Sequence, residues 1–191
     1  MRLRAGLEVE GDHFERYGAA SSSCGVCGRR SLEAVHAVRT RAVHDHLRVD
    51  PRVLAALPER LRASQTVFDR TGGLHAAALV DAAGEIAVVC EDIGRHNAVD
   101  KVIGGQLLVD RFPLDDVLLF VSGRTSFEIV QKAAMAGIPI VASVSAATSL
   151  SVDVADACNL TLAGFVRDGR MTVYSAVDRI ISTTSSQAVN S

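Results

Sequence analysis

Tryptophan is missing from the 191-residue chain, and aromatic residues as a whole make up only 4% of it. So few rings argue against a platform on which single-stranded nucleic acid stacks its bases. Net charge is also nearly absent, since 20 Lys and Arg against 22 Asp and Glu leave −2 at neutral pH. The chain as a whole therefore has no field that recruits nucleic acid or an anionic membrane, and an anionic ligand has to be held by a local site. No apolar run approaches the roughly 20 residues of a membrane-spanning helix. The opening MRLRAGLEVEGDHFERYG also lacks the apolar stretch of a signal peptide. These absences predict a cytoplasmic protein with no nucleic-acid and no membrane partner. Cysteine is scarce too: the four residues Cys24, Cys27, Cys90 and Cys158, in a reducing compartment, do not suggest a disulfide framework.

Apolar residues are plentiful, at 48% of the composition, enough for one well-buried core. Residues 1–20 form a short N-terminal segment in which LEVEGDHFERY alternates weakly enough for one exposed strand. Residues 21–181 read as one α/β domain, and 182–191, STTSSQAVNS, as a disordered tail. SSSCGVCG reads as a loop, followed by a helix with Leu32, Val35 and Val38 on one side. From Pro51, a helical stripe of Val53, Leu54, Leu57, Leu61 and Phe68 runs to Gly72 and Gly73, with a break or kink predicted at Pro58.

LHAAALVD and EIAVVCED read as two buried strands joined across AAGE. Helices over GRHNAVDKVIGGQLLVDRF, SFEIVQKAAMAG and SLSVDVADAC then alternate with strands in DVLLFVS and IPIVASV. A strand pair, NLTLAGFVRDGRMTVYS, turns at Asp168 and Gly169. This alternation predicts a three-layer α/β sandwich with a mixed, partly parallel sheet.

Two cysteines three apart support three kinds of chemistry: half of a zinc site, a reversible dithiol couple, or a nucleophilic thiol with a neighbour. A structural zinc needs about four ligands, and the chain has no second C-x-x-C, only His44 and His46 in an H-x-H arrangement. A glycine after each of Cys24 and Cys27 favours an accessible loop, which suits delivery of a thiol to partners better than a preformed redox pocket. Two reduced thiols in a glycine turn remain the plain structural reading. Cys90 and Cys158 sit in apolar runs and are expected to be buried and inert.

Three further clusters carry polar groups. EDIGRHNAVDK (91–101) packs Glu91, Asp92, Arg95, His96, Asn97, Asp100 and Lys101 between a strand and a helix, where open α/β sheets place ligands. Its plain reading is that Asp92 caps the helix and Arg95 pairs with Glu91 or Asp100; its functional one is that His96 meets a phosphate or orients a thiol. SGRTSFE (122–128) opens a helix after a buried strand, so the backbone of Gly123, with Arg124, could hold phosphate. It is not a Walker loop, because G-x-x-x-x-G-K-[ST] is missing. GFVRDGR (164–170) reads as a hairpin with Arg167 and Arg170 exposed. TGGLHAA places His75 after two glycines, but the H-x-E and P-C-x-x-C of a zinc deaminase are lacking, so no metal-activated water and no metal site are expected.

Taken in order, SSSCGVCG, TGGLHAA, EDIGRHNAVDKVIGG, SGRTSFEIVQKA, GIPIVASVSAATSLSVDVA and LTLAGFVRDGRMTVY resemble the FdhD family of sulfur carriers required for active formate dehydrogenase. The resemblance implies a cytidine deaminase-like α/β sandwich without the deaminase zinc ligands. It implies a sulfurtransferase-type role, in which Cys24 carries a persulfide received from a cysteine desulfurase and Cys27 assists or resolves it. The sulfur would pass to molybdenum bis(molybdopterin guanine dinucleotide) before insertion into formate dehydrogenase. Phe165, Val166, Arg167, Asp168, Gly169 and Arg170 correspond to the family's cofactor-binding stretch, and family members are similar in forming homodimers. The alternative is a chaperone that holds the molybdenum cofactor without cysteine chemistry. Family members carry a substantial region before the cysteine loop, whereas 23 residues precede Cys24 here; a genuinely shortened chain is expected to expose an apolar face.

Overall fold

In the computed structural model, which describes residues 46–181, the stripe beginning at Pro51 becomes helix α1 (Pro51–Ser64), burying Leu54, Leu57 and Leu61. Asp50 caps it, its carboxylate accepting the backbone N–H of Arg52 at 2.8 Å. The helix runs on through Pro58, so of the break or kink expected there the break does not occur. Three buried leucines, each contributing roughly 1.5–3 kcal/mol, outweigh the roughly 3 kcal/mol that an internal proline costs.

The break comes at residues 65–67, ahead of a short helix α2 (Phe68–Thr71). Its cause lies elsewhere in the chain. The Glu91 carboxylate accepts the backbone N–H of Val67 at 2.9 Å and of Phe68 at 2.8 Å, satisfying from outside the donors that open α2. The helix ends at Gly72, where a φ of 67° supplies the left-handed cap. Glu91→Ala should cost about 1 kcal/mol, the usual worth of an N-terminal cap, and Glu91→Gln, which keeps one acceptor, less. Thermal denaturation of the two variants measures the difference.

The strands and remaining helices follow in the order β1 (His75–Val80), β2 (Ile86–Asp92), α3 (Arg95–Leu108), β3 (Leu118–Val121), α4 (Phe127–Met135), β4 (Ile140–Ser143), α5 (Ser149–Ala157), β5 (Thr161–Arg167) and β6 (Arg170–Ser175). They form one six-stranded sheet in the order β2-β1-β3-β4-β5-β6. β1 is antiparallel to both β2 and β3, β3 to β5 are parallel, and β6 is antiparallel to β5. The strands β2, β3, β4 and β5 therefore all point one way, and their C-terminal ends share one edge.

Alternation along each strand sorts side chains to two faces. Ala77, Leu79, Leu119, Val121, Val141 and Leu162 pack with residues of α3, α4 and α5. Ala76, Ala78, Val80, Leu118, Phe120 and Ile140 pack with the leucines of α1. The result is three layers around a mixed sheet, as the alternation of elements predicted.

Two expectations are corrected. β2 is half-buried rather than buried, because it lies at the end of the sheet and has a partner strand on one side alone. Cys90, on that strand, is half-buried for the same reason, while Cys158 is 4% exposed; neither belongs to a disulfide. Exposed apolar side chains gather where α3 ends, at Leu107, Leu108, Val109 and Phe112. No described helix is long and apolar enough to cross a membrane. The N-terminal strand, the Cys24 and Cys27 loop, the helix after it, the boundary at residue 20 and the tail 182–191 lie outside the described residues.

Candidate functional site

Helices α3, α4 and α5 follow the C-terminal ends of β2, β3 and β4, so their N-termini converge on one edge of the sheet. That edge is where open α/β sheets take ligands, and the positive helix ends favour an anion. α5 is capped by Thr148, whose hydroxyl accepts the Ser151 N–H at 3.2 Å. α3 and α4 begin at Gly94 and Ser126 with no side-chain cap, which leaves their first N–H groups to another acceptor.

The charges of EDIGRHNAVDK divide into two sets. Glu91 caps α2, and Asp92 accepts hydrogen bonds from the Gly94 N–H at 2.8 Å and Asn97 Nδ2 at 3.1 Å while Lys101 Nζ lies 2.6 Å away. Lys101 first, then Gly94 and Asn97, hold the Asp92 carboxyl at about 2, below its ordinary 3.8. Asp100 pairs with Lys132, not with Arg95. Arg95 instead keeps a buried Nε without a hydrogen-bond partner, and its Cβ lies 3.7 Å from where a side chain at Gly123 would begin.

His96 Nε2 sits 2.7 Å from Ser126 Oγ and 3.2 Å from Glu128 Oε2, tying the first turn of α3 to that of α4. Burial lowers its pKa below the ordinary 6.5 despite the opposing pull of Glu128, so the ring is neutral at neutral pH. A base with a depressed pKa binds fewer protons folded than unfolded, so its contribution to stability is complete above 6.5 and declines as pH falls below that value. The thermal midpoint should therefore drop on acidification below about pH 6.5, and His96→Gln should remove part of that slope. Midpoints measured across this range for both proteins give the comparison.

Gly123 is buried against His75: a Cβ there would stand 3.1 Å from His75 Nδ1. Arg124 beside it is exposed. Thr125 stitches this turn to the next loop, its N–H donating to Ala146 O at 3.0 Å and its carbonyl accepting from the Thr148 N–H at 3.1 Å. Its hydroxyl is buried with no partner.

The same loop holds β5, where the Phe165 N–H donates to Ser145 O at 3.0 Å. Gly164 pairs with Thr172 and Arg167 with Arg170, so Phe165 and Val166 together face Met171 alone, a β-bulge. Phe165 takes a φ of 53°, a conformation costing a non-glycine residue roughly 1–3 kcal/mol and common at functional sites. The bulge leaves Phe165 and Arg167 exposed, with the guanidinium 5.6 Å from the ring centroid. Val166, at 0% exposure, points into the core and offers a ligand only its backbone. Asp168 and Gly169, with φ of 53° and 69°, make the tight turn that the sequence predicted. Phe165, Arg167, Asp168 and Arg170 line a surface pocket together with Met171 and Thr172.

His96, Gly123, Arg124 and the 165–170 hairpin thus share one edge, joined through the 145–148 loop. Cys24 and Cys27 lie outside the described residues. Ser126 and Glu128, the partners of His96, stand in SGRTSFE, so the signal for them was present; nothing in the spacing marked Ser145 or Arg95 as neighbours of Phe165 and Gly123. No group of three or more potential metal ligands occurs among the described residues.

A family model described as the FdhD/NarQ family matches residues 3–181. A sulfur carrier protein FdhD of Streptomyces coelicolor is 52% identical over 182 residues, which is 94% of this chain and 64% of that protein. One from Mycobacterium tuberculosis is 55% identical over 161 residues, 84% of this chain and 58% of that one. The chain thus spans less than two thirds of either relative. Its fold matches the crystal structure of a candidate formate dehydrogenase accessory protein from Desulfotalea psychrophila with a TM-score of 0.66 at 28% identity, covering 74% of this chain and 61% of that one.

Proposed function

Because the chain belongs to the FdhD/NarQ family, we propose that it is a cytoplasmic sulfur carrier in formate dehydrogenase maturation. It takes sulfur from a cysteine desulfurase and gives it to molybdenum bis(guanine dinucleotide), its substrate, acting as a homodimer. The observation that carries the reading is the sheet edge itself. Two helix N-termini without side-chain caps, an orphaned Arg95 Nε and the exposed Arg124, Arg167 and Arg170 meet there. This combination suits the several phosphates of a dinucleotide in a chain with no general positive field.

In the first step the Cys24 thiolate attacks the outer sulfur of the donor's persulfide. A new S–S bond forms on Cys24, the donor's S–S bond breaks, and the donor cysteine leaves as thiolate. In the second step the Cys27 thiolate attacks Cys24 Sγ, forming a Cys24–Cys27 disulfide and releasing hydrosulfide to the cofactor. A dithiol reductant then restores both thiols. Arg29 and Arg30, close behind in sequence, favour the thiolate that both steps require.

Incubation with a desulfurase and cysteine, followed by intact mass measurement and non-reducing peptide mapping, tests the reading. The expected result is one extra sulfur atom on the peptide containing Cys24 and Cys27, removed by reductant. No gain from a donor that charges another acceptor would leave the protein as a holder of the cofactor without cysteine chemistry.

A further inference from the structure

Two helices of the fold open with the cap their sequence supplies, Asp50 accepting the Arg52 N–H for α1 and Thr148 the Ser151 N–H for α5. Serine is as good a cap as aspartate and better than threonine. Ser126 holds the matching position for the nine-residue α4, in the extended conformation that a cap requires, with φ −89° and ψ 166°. Its side chain nevertheless makes no capping hydrogen bond. At 5% exposure, the hydroxyl is not lost to bulk water either.

The oxygen is engaged across the gap between two helices. His96 Nε2, in the first turn of α3, lies 2.7 Å from Ser126 Oγ and 3.2 Å from Glu128 Oε2. A carboxylate only accepts, so the proton of the ring sits on Nε2 and its N–H donates to both oxygens. A hydroxyl drawn onto His96 is not turned back on the N–H of Glu128 or Ile129, the donors a capping serine would meet. Each member of this contact is preceded by a residue with a buried polar atom that has no hydrogen-bond partner, Arg95 Nε before His96 and Thr125 Oγ1 before Ser126. Thr125 is fully buried, at 0% exposure. Polar groups left open on both sides of the His96 and Ser126 contact point to a ligand between the two helix starts.

We propose that His96 is a positioning residue: it holds the Ser126 hydroxyl off the N-terminus of α4 and so keeps that helix end open to an anion. The inference rests on the reading of this edge as an anion site, and adds which side chain prevents the protein from closing it with its own cap. Ser126 is an internal competitor for the N–H groups of α4, and the His96 N–H decides the competition. The same N–H engages the Glu128 carboxylate, the other acceptor of that first turn.

Titration calorimetry of the full chain with inorganic pyrophosphate, beside amide hydrogen exchange at Glu128 and Ile129, tests it. In His96→Ala the released serine should cap α4. Pyrophosphate should then bind about fivefold more weakly, the ratio that a typical cap of roughly 1 kcal/mol gives, and one of the two amides should exchange more slowly by a similar factor. Adding Ser126→Ala to His96→Ala should bring both readings back toward the wild type. A histidine that touched the anion itself, or only braced α3 against α4, would allow no such rescue. His96→Gln, which still offers an N–H donor, should stay close to the wild type in both. Exchange that does not slow in His96→Ala, or stays slow in the double variant, overturns the proposal, and so does a pyrophosphate affinity that the double variant fails to restore. A wild type that binds no pyrophosphate but shows the slowed and rescued exchange supports the restraint on Ser126 and removes the anion reading of the edge. No cysteine and no anion enters the exchange measurement, so failure of the sulfur-carrier reading leaves its outcome intact.

Discussion

Cys24→Ser should take no sulfur from a desulfurase and leave formate dehydrogenase at background activity, whereas Cys27→Ser should still take sulfur and keep it. The asymmetry follows from the two bonds that have to form. In the proposed scheme a thiolate at Cys24 attacks the donor persulfide; a serine hydroxyl is neither ionised at neutral pH nor able to carry sulfur on to an acceptor. At Cys27 the loss is of the internal thiol that expels hydrosulfide, so the Cys24 persulfide accumulates and formate dehydrogenase activity falls without vanishing. Mass measurement of each variant after charging, beside formate dehydrogenase assays in cells lacking the wild-type protein, separates the roles. Full activity with Cys24→Ser would sink the carrier reading, and the opposite pattern of mass gain would exchange the two cysteines.

The joint replacement Arg167→Ala and Arg170→Ala should weaken binding of the molybdenum dinucleotide by roughly ten- to hundredfold, or about 1.4–2.7 kcal/mol. Hydrogen bonds to a charged group are worth about 1.5–3 kcal/mol each when sheltered. Both arginines are exposed, so solvent screening keeps each at or below the low end of that range. For the same reason the wild type should bind less tightly as salt rises, and the double variant should show a shallower dependence. The hairpin is held by its bulge and by Asp168 and Gly169 rather than by the arginine side chains, so the thermal midpoint should hardly move. Unchanged affinity at low salt would remove the hairpin from the binding surface, and a collapsed midpoint would show that the arginines support the fold.

Much of the architecture is legible in the sequence itself. Continuous apolar runs such as LLFV, bounded by glycines and polar turns, mark strands covered on both faces, and the wider leucine spacing of Leu54, Leu57 and Leu61 marks a helix packed on one side. Local rules failed where a distant group intervened. Pro58 is tolerated because the leucines around it are buried, and the helix stops instead where Glu91 supplies its carboxylate to Val67 and Phe68. Cys90 sits in an apolar run but on an edge strand, and no run of letters states which strand lies at the edge.

The site divides the same way. A pair of cysteines each followed by glycine and the DG turn between two arginines are properties of neighbouring residues, and covalent chain geometry keeps them together in any fold. The polar clusters 91–101 and 122–128 likewise announce themselves one at a time. Whether they belong to one site is a different matter, because it depends on strand direction and order. Only the parallel arrangement of β2 to β5 sets the starts of α3 and α4 beside the 165–170 hairpin and places His96 between Ser126 and Glu128. Those contacts join residues many positions apart, and they exist because closing the sheet over its two apolar faces leaves the strands no other edge at which to end.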